Sequence, residues 1–220
     1  YWCIYCGVSY LRYIKGLWAV AEGLIYTSFS DANLYDDDSR PAALYSTSVR
    51  TIAVDYGTTN PCVFLDIRDD GRDIWVDNEW RWDSRSEEAM RSGAPNMTDA
   101  QYADAMMEFM GPAAADQCMI VVDPSAKSFI TELRQRGFYV KEGDNDVLDG
   151  IRDVSSLFYR QRLHIHRRCT GLIAELKSYV WDDKAAEKGD EKPVKMQDHG
   201  PDALRYYSNT VLPDWRKTAA

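Results

Sequence analysis

The stretch Thr51-Ile-Ala-Val-Asp55-Tyr-Gly-Thr-Thr-Asn-Pro61 decides how the rest of the chain reads. A short apolar run ends on an aspartate, and a glycine, two threonines and an Asn-Pro pair then stop the strand and turn the chain. A carboxylate is thereby delivered to the rim of a sheet, where a strand can hold it with the accuracy that metal-assisted chemistry needs. The plainer reading of Asp55 is a turn or cap aspartate at a strand end. The segments around it bear on the choice.

Ser48 to Tyr56 is the first of three predicted strands, followed by Cys62 to Arg68 and Arg72 to Trp82. The last two are joined through Asp69-Asp-Gly71, an Asp-Gly hairpin signal, so an antiparallel meander is expected. Trp75, Trp80 and Trp82 on the third strand read as sheet-face packing. A polar stretch with Gly93-Ala-Pro95 comes next, and Thr98 is placed to cap a helix running to Met110.

Gln117 to Asp123 is a second buried strand that also ends on aspartate. Pro124-Ser125 breaks it and opens a helix from Ala126 to Arg136, closed by Gly137, and Phe138 to Val140 forms a short strand. Residues 117 to 140 thus make a β-α-β unit with parallel strands. Val147, Leu148, Ile151, Val154 and Leu157 recur at helical spacing, giving a core-facing helix from Val147 to Arg160. Leu163 to Ile165 is predicted as a strand and Thr170 to Tyr179 as a helix. The charged segment Asp182 to Gln197 reads as a mobile excursion. Asp198-His-Gly-Pro-Asp-Ala-Leu-Arg-Tyr206 opens a last helix, with Pro201 in its first turn and Asp198 as its cap.

Ahead of the meander, Tyr10 to Phe29 mixes aromatic, basic and apolar positions, and Asp36-Asp-Asp-Ser39 has the composition of a solvated connection. A boundary is expected near residue 45, with residues 1–45 as an arm and 46–220 as a mixed α/β domain. The chain begins on Tyr1 rather than methionine, so a piece of a larger protein is expected. Its net charge of −9 argues against coating nucleic acid by bulk electrostatics, so any DNA contact needs a local basic patch or bound cations. No apolar run reaches the roughly 20 residues of a membrane span, and a soluble, intracellular protein is expected. Five cysteines include one C-x-x-C pair, Cys3 and Cys6, without the second pair a zinc site needs; reduced thiols are expected.

If the meander and the β-α-β unit share a sheet, Asp55 and Asp123 both project beyond the carboxyl ends of strands, where ligands of open α/β sheets gather. Asp202 comes from the last helix, with His199 three residues before it on the same face. Three converging carboxylates need counter-charge, and divalent cations with oxygen ligands, Mg2+ or Mn2+, are the natural supply. Two such ions can activate a water and stabilise the leaving oxygen of a phosphodiester.

The order of these features resembles the ribonuclease-H-like fold, and the motifs are similar, more narrowly, to the nuclease domain of the large subunit of tailed-bacteriophage terminase. The matching stretches are Arg12-Tyr-Ile-Lys-Gly-Leu-Trp18 with Ala21-Glu-Gly-Leu-Ile-Tyr26, Val54-Asp-Tyr-Gly57, Val121-Val-Asp-Pro-Ser-Ala126, Asn145-Asp-Val-Leu-Asp-Gly-Ile151 and Asp198 to Tyr206. The resemblance implies a mixed β-sheet flanked by helices, joined by the N-terminal arm to an ATPase domain of the same polypeptide. It implies a metal-dependent endonuclease that cuts double-stranded viral DNA with low sequence specificity during packaging, in the cytoplasm of the bacterial host. The portal protein and the small terminase subunit would be partners. Asp55, Asp123 and Asp202 would bind two metal ions, with Asp198 as a further candidate ligand and His199 beside them, orienting or deprotonating the water.

For DNA contact, Arg160, Arg162, His164, His166, Arg167 and Arg168 are the densest basic cluster, and Lys184, Lys188, Lys192 and Lys195 punctuate the excursion before the last helix. A solvated surface is the plainer reading of such runs. Two rival functions remain at this level. Asp55-Tyr-Gly-Thr-Thr-Asn60 also resembles the first phosphate loop of actin-like and heat-shock-type ATPases, which require a second glycine-rich loop that this chain lacks. A non-catalytic DNA- or portal-docking domain would keep the fold without a use for three aspartates.

Overall fold

The computed structural model describes residues 23–58, 60–91, 93, 96–111 and 118–212. Cys3, Cys6 and the segment from Tyr10 to residue 22 lie outside the described residues, as do Pro95 and Gln117.

Seven strands form one mixed sheet: β1 (Leu34–Tyr35), β2 (Val49–Asp55), β3 (Cys62–Asp69), β4 (Ile74–Trp82), β5 (Met119–Val122), β6 (Tyr139–Glu142) and β7 (Leu163–His166), in the order β1-β7-β4-β3-β2-β5-β6. β3 is antiparallel to both neighbours, and every other pairing is parallel. All strands except β3 therefore end at the same edge. The meander and the β-α-β unit share this sheet, joined through the parallel β2–β5 pair, which meets the condition on which Asp55 and Asp123 leave neighbouring strands.

The helices are α1 (Leu44–Thr47), α2 (Glu87–Arg91), α3 (Asp99–Met110), α4 (Lys127–Gln135), α5 (Val147–Tyr159), α6 (Thr170–Ser178), α7 (Asp183–Ala186) and α8 (His199–Val211). Thr98 caps α3 as its sequence predicts, accepting from the Gln101 N–H. Alternation along the central strands splits the core in two. Ile52, Val54, Cys62 and Phe64 pack against α3 and α4, whereas Ala53, Val63, Leu65 and Ile67 pack against α5, α6 and α8. Both faces of the sheet are covered, which is why β2 and β3 read as continuous apolar runs. In the α5 stripe, Ile151, Val154 and Leu157 are buried, while Leu148 turns to solvent. Trp80 stacks on Phe64 and Trp75 meets Tyr35 edge-on, both as packing groups.

Two segments are more tightly integrated than their composition suggests. Leu34–Tyr35, before residue 45, supplies the edge strand beside β7, and the acidic run behind it is tied down by Asp37, which pairs with Arg168 at 2.6 Å. Residues 182–197, read as a mobile excursion, instead contain α7 and return along the chain. Asp182 caps α7, Trp181 bridges Pro193, and the Val194 N–H donates to Val180 O at 3.0 Å. Among the described residues no helix is long and apolar enough to cross a membrane.

Candidate metal centre

Asp55 closes β2 on the same face as Ala53, the face that α8 covers. Asp123 follows β5 directly. Its N–H donates to Val54 O at 3.2 Å, one step beyond the Val54–Val122 register pair, so the two aspartates leave adjacent strands side by side. Asp123 Oδ1 accepts from the Ser125 N–H at 2.8 Å, a local turn that leads the chain into α4. The turn after Asp55 closes tightly: a side chain at Gly57 would bring Cβ within 2.5 Å of Asn60 O.

α8 is buried along most of its length, from Gly200 to Ser208. Its first turn is pinned by Glu175 on α6, which accepts from the Gly200 N–H at 2.7 Å and pairs with Arg81 at 2.6 Å. His199 and Asp202 share a face as their spacing predicts. His199 Nδ1 donates to Asp55 Oδ2 at 2.9 Å. Asp198 does not cap the helix with its side chain, contrary to expectation. Its carboxylate instead faces the Lys195 ammonium at 3.3 Å, and its backbone carbonyl accepts from the Asp202 N–H at 2.7 Å.

Asp202 is held by two cations, Lys195 at 3.0 Å and Arg205 at 3.3 Å. Arg205 is 1% exposed, and its guanidinium also donates to Asp146 O and Asn145 Oδ1. It fits because α5 carries a glycine where the helices touch: a Cβ at Gly150 would lie 1.9 Å from Arg205 Cγ.

These groups line one cavity of about 880 Å³ that takes in Asp55, Asp123, Asp198, His199 and Asp202. Burial, with the charges of Asp202 and Asp123 behind it, pushes the Asp55 carboxyl up to about 6, although the His199 hydrogen bond works the other way. Burial opposes the charge on His199, but Asp55 outweighs it and raises its pKa. Burial and then Asp55, Asp123 and Asp202 raise the Tyr206 hydroxyl, which feels all three carboxylates at once. Among the described residues no three acidic, histidine or cysteine groups stand close enough to hold one metal ion as placed. Lys195, Arg205 and His199 occupy carboxylate oxygens there. The donor set nonetheless fits a hard divalent cation. It consists of carboxylate oxygens, and Asp55 is short of the counter-charge its burial demands.

The basic residues singled out from sequence do not form one patch. β7 separates them, placing Arg160 and Arg162 before its start, at the sheet edge opposite the cavity, and Arg167 and Arg168 after its end. Arg162 pairs with Asp73 at 3.3 Å, Arg168 and His166 are drawn to Asp37, and His164 stacks on Trp75. Lys184 and Lys188 are exposed in and after α7, Lys192 pairs with Asp190, and of the four lysines Lys195 lines the cavity. Sequence reasoning missed Arg81, Arg85 and Glu175, which share that lining. Only Arg205 carried a signal, through the Asp202-Ala-Leu-Arg-Tyr206 match.

Fold and site together define a ribonuclease-H-like domain with a carboxylate centre at its strand ends. No family model and no curated protein sequence matches the chain. Among solved structures, a large terminase from a thermophilic bacteriophage superposes with a TM-score of 0.84 at 38% identity over 94% of this chain and 49% of that one. The P22 large terminase nuclease domain matches at TM-score 0.64 and 16% identity, covering 87% of this chain and 93% of that one. The large terminase nuclease of the thermophilic phage G20c, solved with bound magnesium and with bound cobalt, matches at 0.62 and 12%, covering 85% and 97%. The chain is similar to a bacteriophage large terminase at 38% identity, has the fold of the large terminase nuclease domains, and spans about half the length of that relative.

Proposed function

We propose that this domain is a metal-dependent endonuclease that cuts double-stranded viral DNA with little sequence preference during genome packaging. The observation that carries this reading is the convergence of Asp55 and Asp123, from adjacent strand ends, with Asp202 of α8 and Asp198 just before it in one cavity. The magnesium- and cobalt-bound forms of the G20c nuclease support a divalent metal for a domain of this fold.

Asp55, Asp123 and Asp202 would hold two ions, Mg2+ or Mn2+, with Asp198 as a further ligand on the α8 side. When bound, such ions lower the pKa of a water and neutralise charge on the departing 3′ oxygen. His199, bonded to Asp55 through Nδ1, fixes the rotamer of that carboxylate and offsets part of its charge. Glu175 and Arg81 set the height of α8 over the strand ends, so the acidic groups of helix and sheet meet. Arg85 is the strand-side cation exposed at the cavity mouth and is proposed as a phosphate contact, with Lys184, Lys188 and Lys192 extending the track.

Residues 1–45 would connect to an ATPase domain of the same polypeptide, in keeping with structures of the 38%-identical large terminase in complex with ADP or ATP-γS. The portal and the small terminase subunit would present the DNA, in the cytoplasm of the infected host. A plasmid digestion in Mn2+ tests the function. Wild type is expected to nick and linearise, and Asp55→Ala, Asp123→Ala and Asp202→Ala are each expected to abolish cutting while staying folded by circular dichroism. Wild-type-level nicking by any of the three would remove that residue from the site.

A further inference from the structure

Lys195 is placed by backbone rather than by chance of a long side chain. The return from α7 is paired to the chain through Val194, and Gln197, a non-glycine residue at φ 54°, then turns the chain sharply into α8. Between these two fixed points Lys195 reaches into the cavity, with its ammonium 3.3 Å from Asp198 Oδ2 and 3.0 Å from Asp202 Oδ2. A divalent ion shared by these carboxylates would need oxygens at about 2.0–2.2 Å and would occupy the space between them that the ammonium fills. The two cations exclude one another. On the strand side the situation differs: Asp123 Oδ1 is engaged by its own turn and Asp55 Oδ2 by His199, and among the described residues no lysine pairs with either.

We propose that Lys195 is an internal competitor for the helix-side cation position, so that metal loads first between Asp55 and Asp123 and a second ion enters only as Lys195 leaves Asp198 and Asp202. This rests on the metal-centre reading and assigns Lys195 a role other than the phosphate contact its sequence context suggests. The pair it makes is reversible, because the Lys195 side chain is 60% exposed and can withdraw to solvent.

Titration of the 220-residue chain with MnCl2 by calorimetry, without DNA, tests it. Wild type should show a tight and a weak Mn2+ event. Lys195→Ala, and Lys195→Gln, which keeps much of the stem, should tighten the weak event roughly five- to tenfold, the effect of removing one nearby positive charge and its ion pair. Lys195→Arg, and the control Lys177→Ala at an exposed lysine of α6, should stay within about twofold of wild type on the same grounds. Unchanged or weaker Mn2+ binding in both Lys195→Ala and Lys195→Gln overturns the competitor role and leaves the metal centre standing. Absence of Mn2+ binding in wild type and variants alike overturns the metal centre and the competitor with it.

Discussion

At the scale of single residues, the site is a set of carboxylates whose charges are only partly answered by the protein. Asp55 shows it most clearly, since its pKa rises from 3.8 to about 6. The folded state therefore holds that proton more tightly than the unfolded chain does. This contribution to stability is full below about pH 4 and is lost as pH climbs through about 6. His199 is also raised above its ordinary 6.5, which extends the loss to higher pH with the same sign. Metal-free protein should thus lose roughly 2 kcal/mol between pH 4 and pH 8, and saturating Mn2+ should restore it. Urea titrations at several pH values, with and without metal, measure this. A metal-free stability that stays flat or rises over that range would contradict it, and Asp55→Asn should flatten the profile. Asp55 and Asp123 were legible in sequence because an apolar run ending on aspartate fixes where the carboxylate goes. The pairings Lys195–Asp202 and Arg81–Glu175 were not, because they join residues from separate elements that only the folded chain brings together.

At the scale of elements, the decisive fit is α8 against α5. The buried Arg205 crosses their contact and reaches Asp202 only because α5 has no side chain at Gly150. Gly150→Ala must push Arg205 aside, for a loss of about 1–3 kcal/mol despite alanine's better helix propensity. It should also weaken Mn2+ binding at the Asp202 side, since Arg205 no longer orients that carboxylate. Chemical denaturation and calorimetry check the two effects, and unchanged stability with unchanged metal affinity would show that Arg205 is not the positioning group. The long periodic elements, the meander strands and α5, were readable from hydrophobic spacing. The two-residue β1 and the four-residue α1 and α7 were not, because segments so short carry no period and are held by tertiary contacts.

At the scale of the whole molecule, strand direction sorts the surface charges. Every strand but β3 ends at the cavity edge, so the basic run around β7 is divided between two ends of the sheet. If the domain acts on DNA as proposed, a duplex laid across the cavity would meet Arg85, which lines it, rather than Arg160 or Arg162 at the opposite end of β7. Arg85→Glu should therefore reduce plasmid cutting about tenfold or more and steepen its loss with salt, whereas the double change Arg160→Glu with Arg162→Glu should leave it within about twofold. Equal loss in both would place the DNA elsewhere. With a net charge of −9, the chain alone should bind DNA weakly; sub-micromolar, salt-resistant binding in a gel-shift assay would contradict that. Linear sequence showed the cluster as one patch because it does not encode which end of a strand faces the site.

In the proposed function, the cavity is a divalent-metal centre built by Asp55, Asp123 and Asp202. Anomalous scattering from a crystal soaked in MnCl2 tests it most directly. A peak within coordination distance of Asp55 and Asp123, joined at higher Mn2+ by a second beside Asp202, is the predicted result. Soaked crystals with no anomalous density in the cavity, or with manganese bound only elsewhere on the surface, would contradict it.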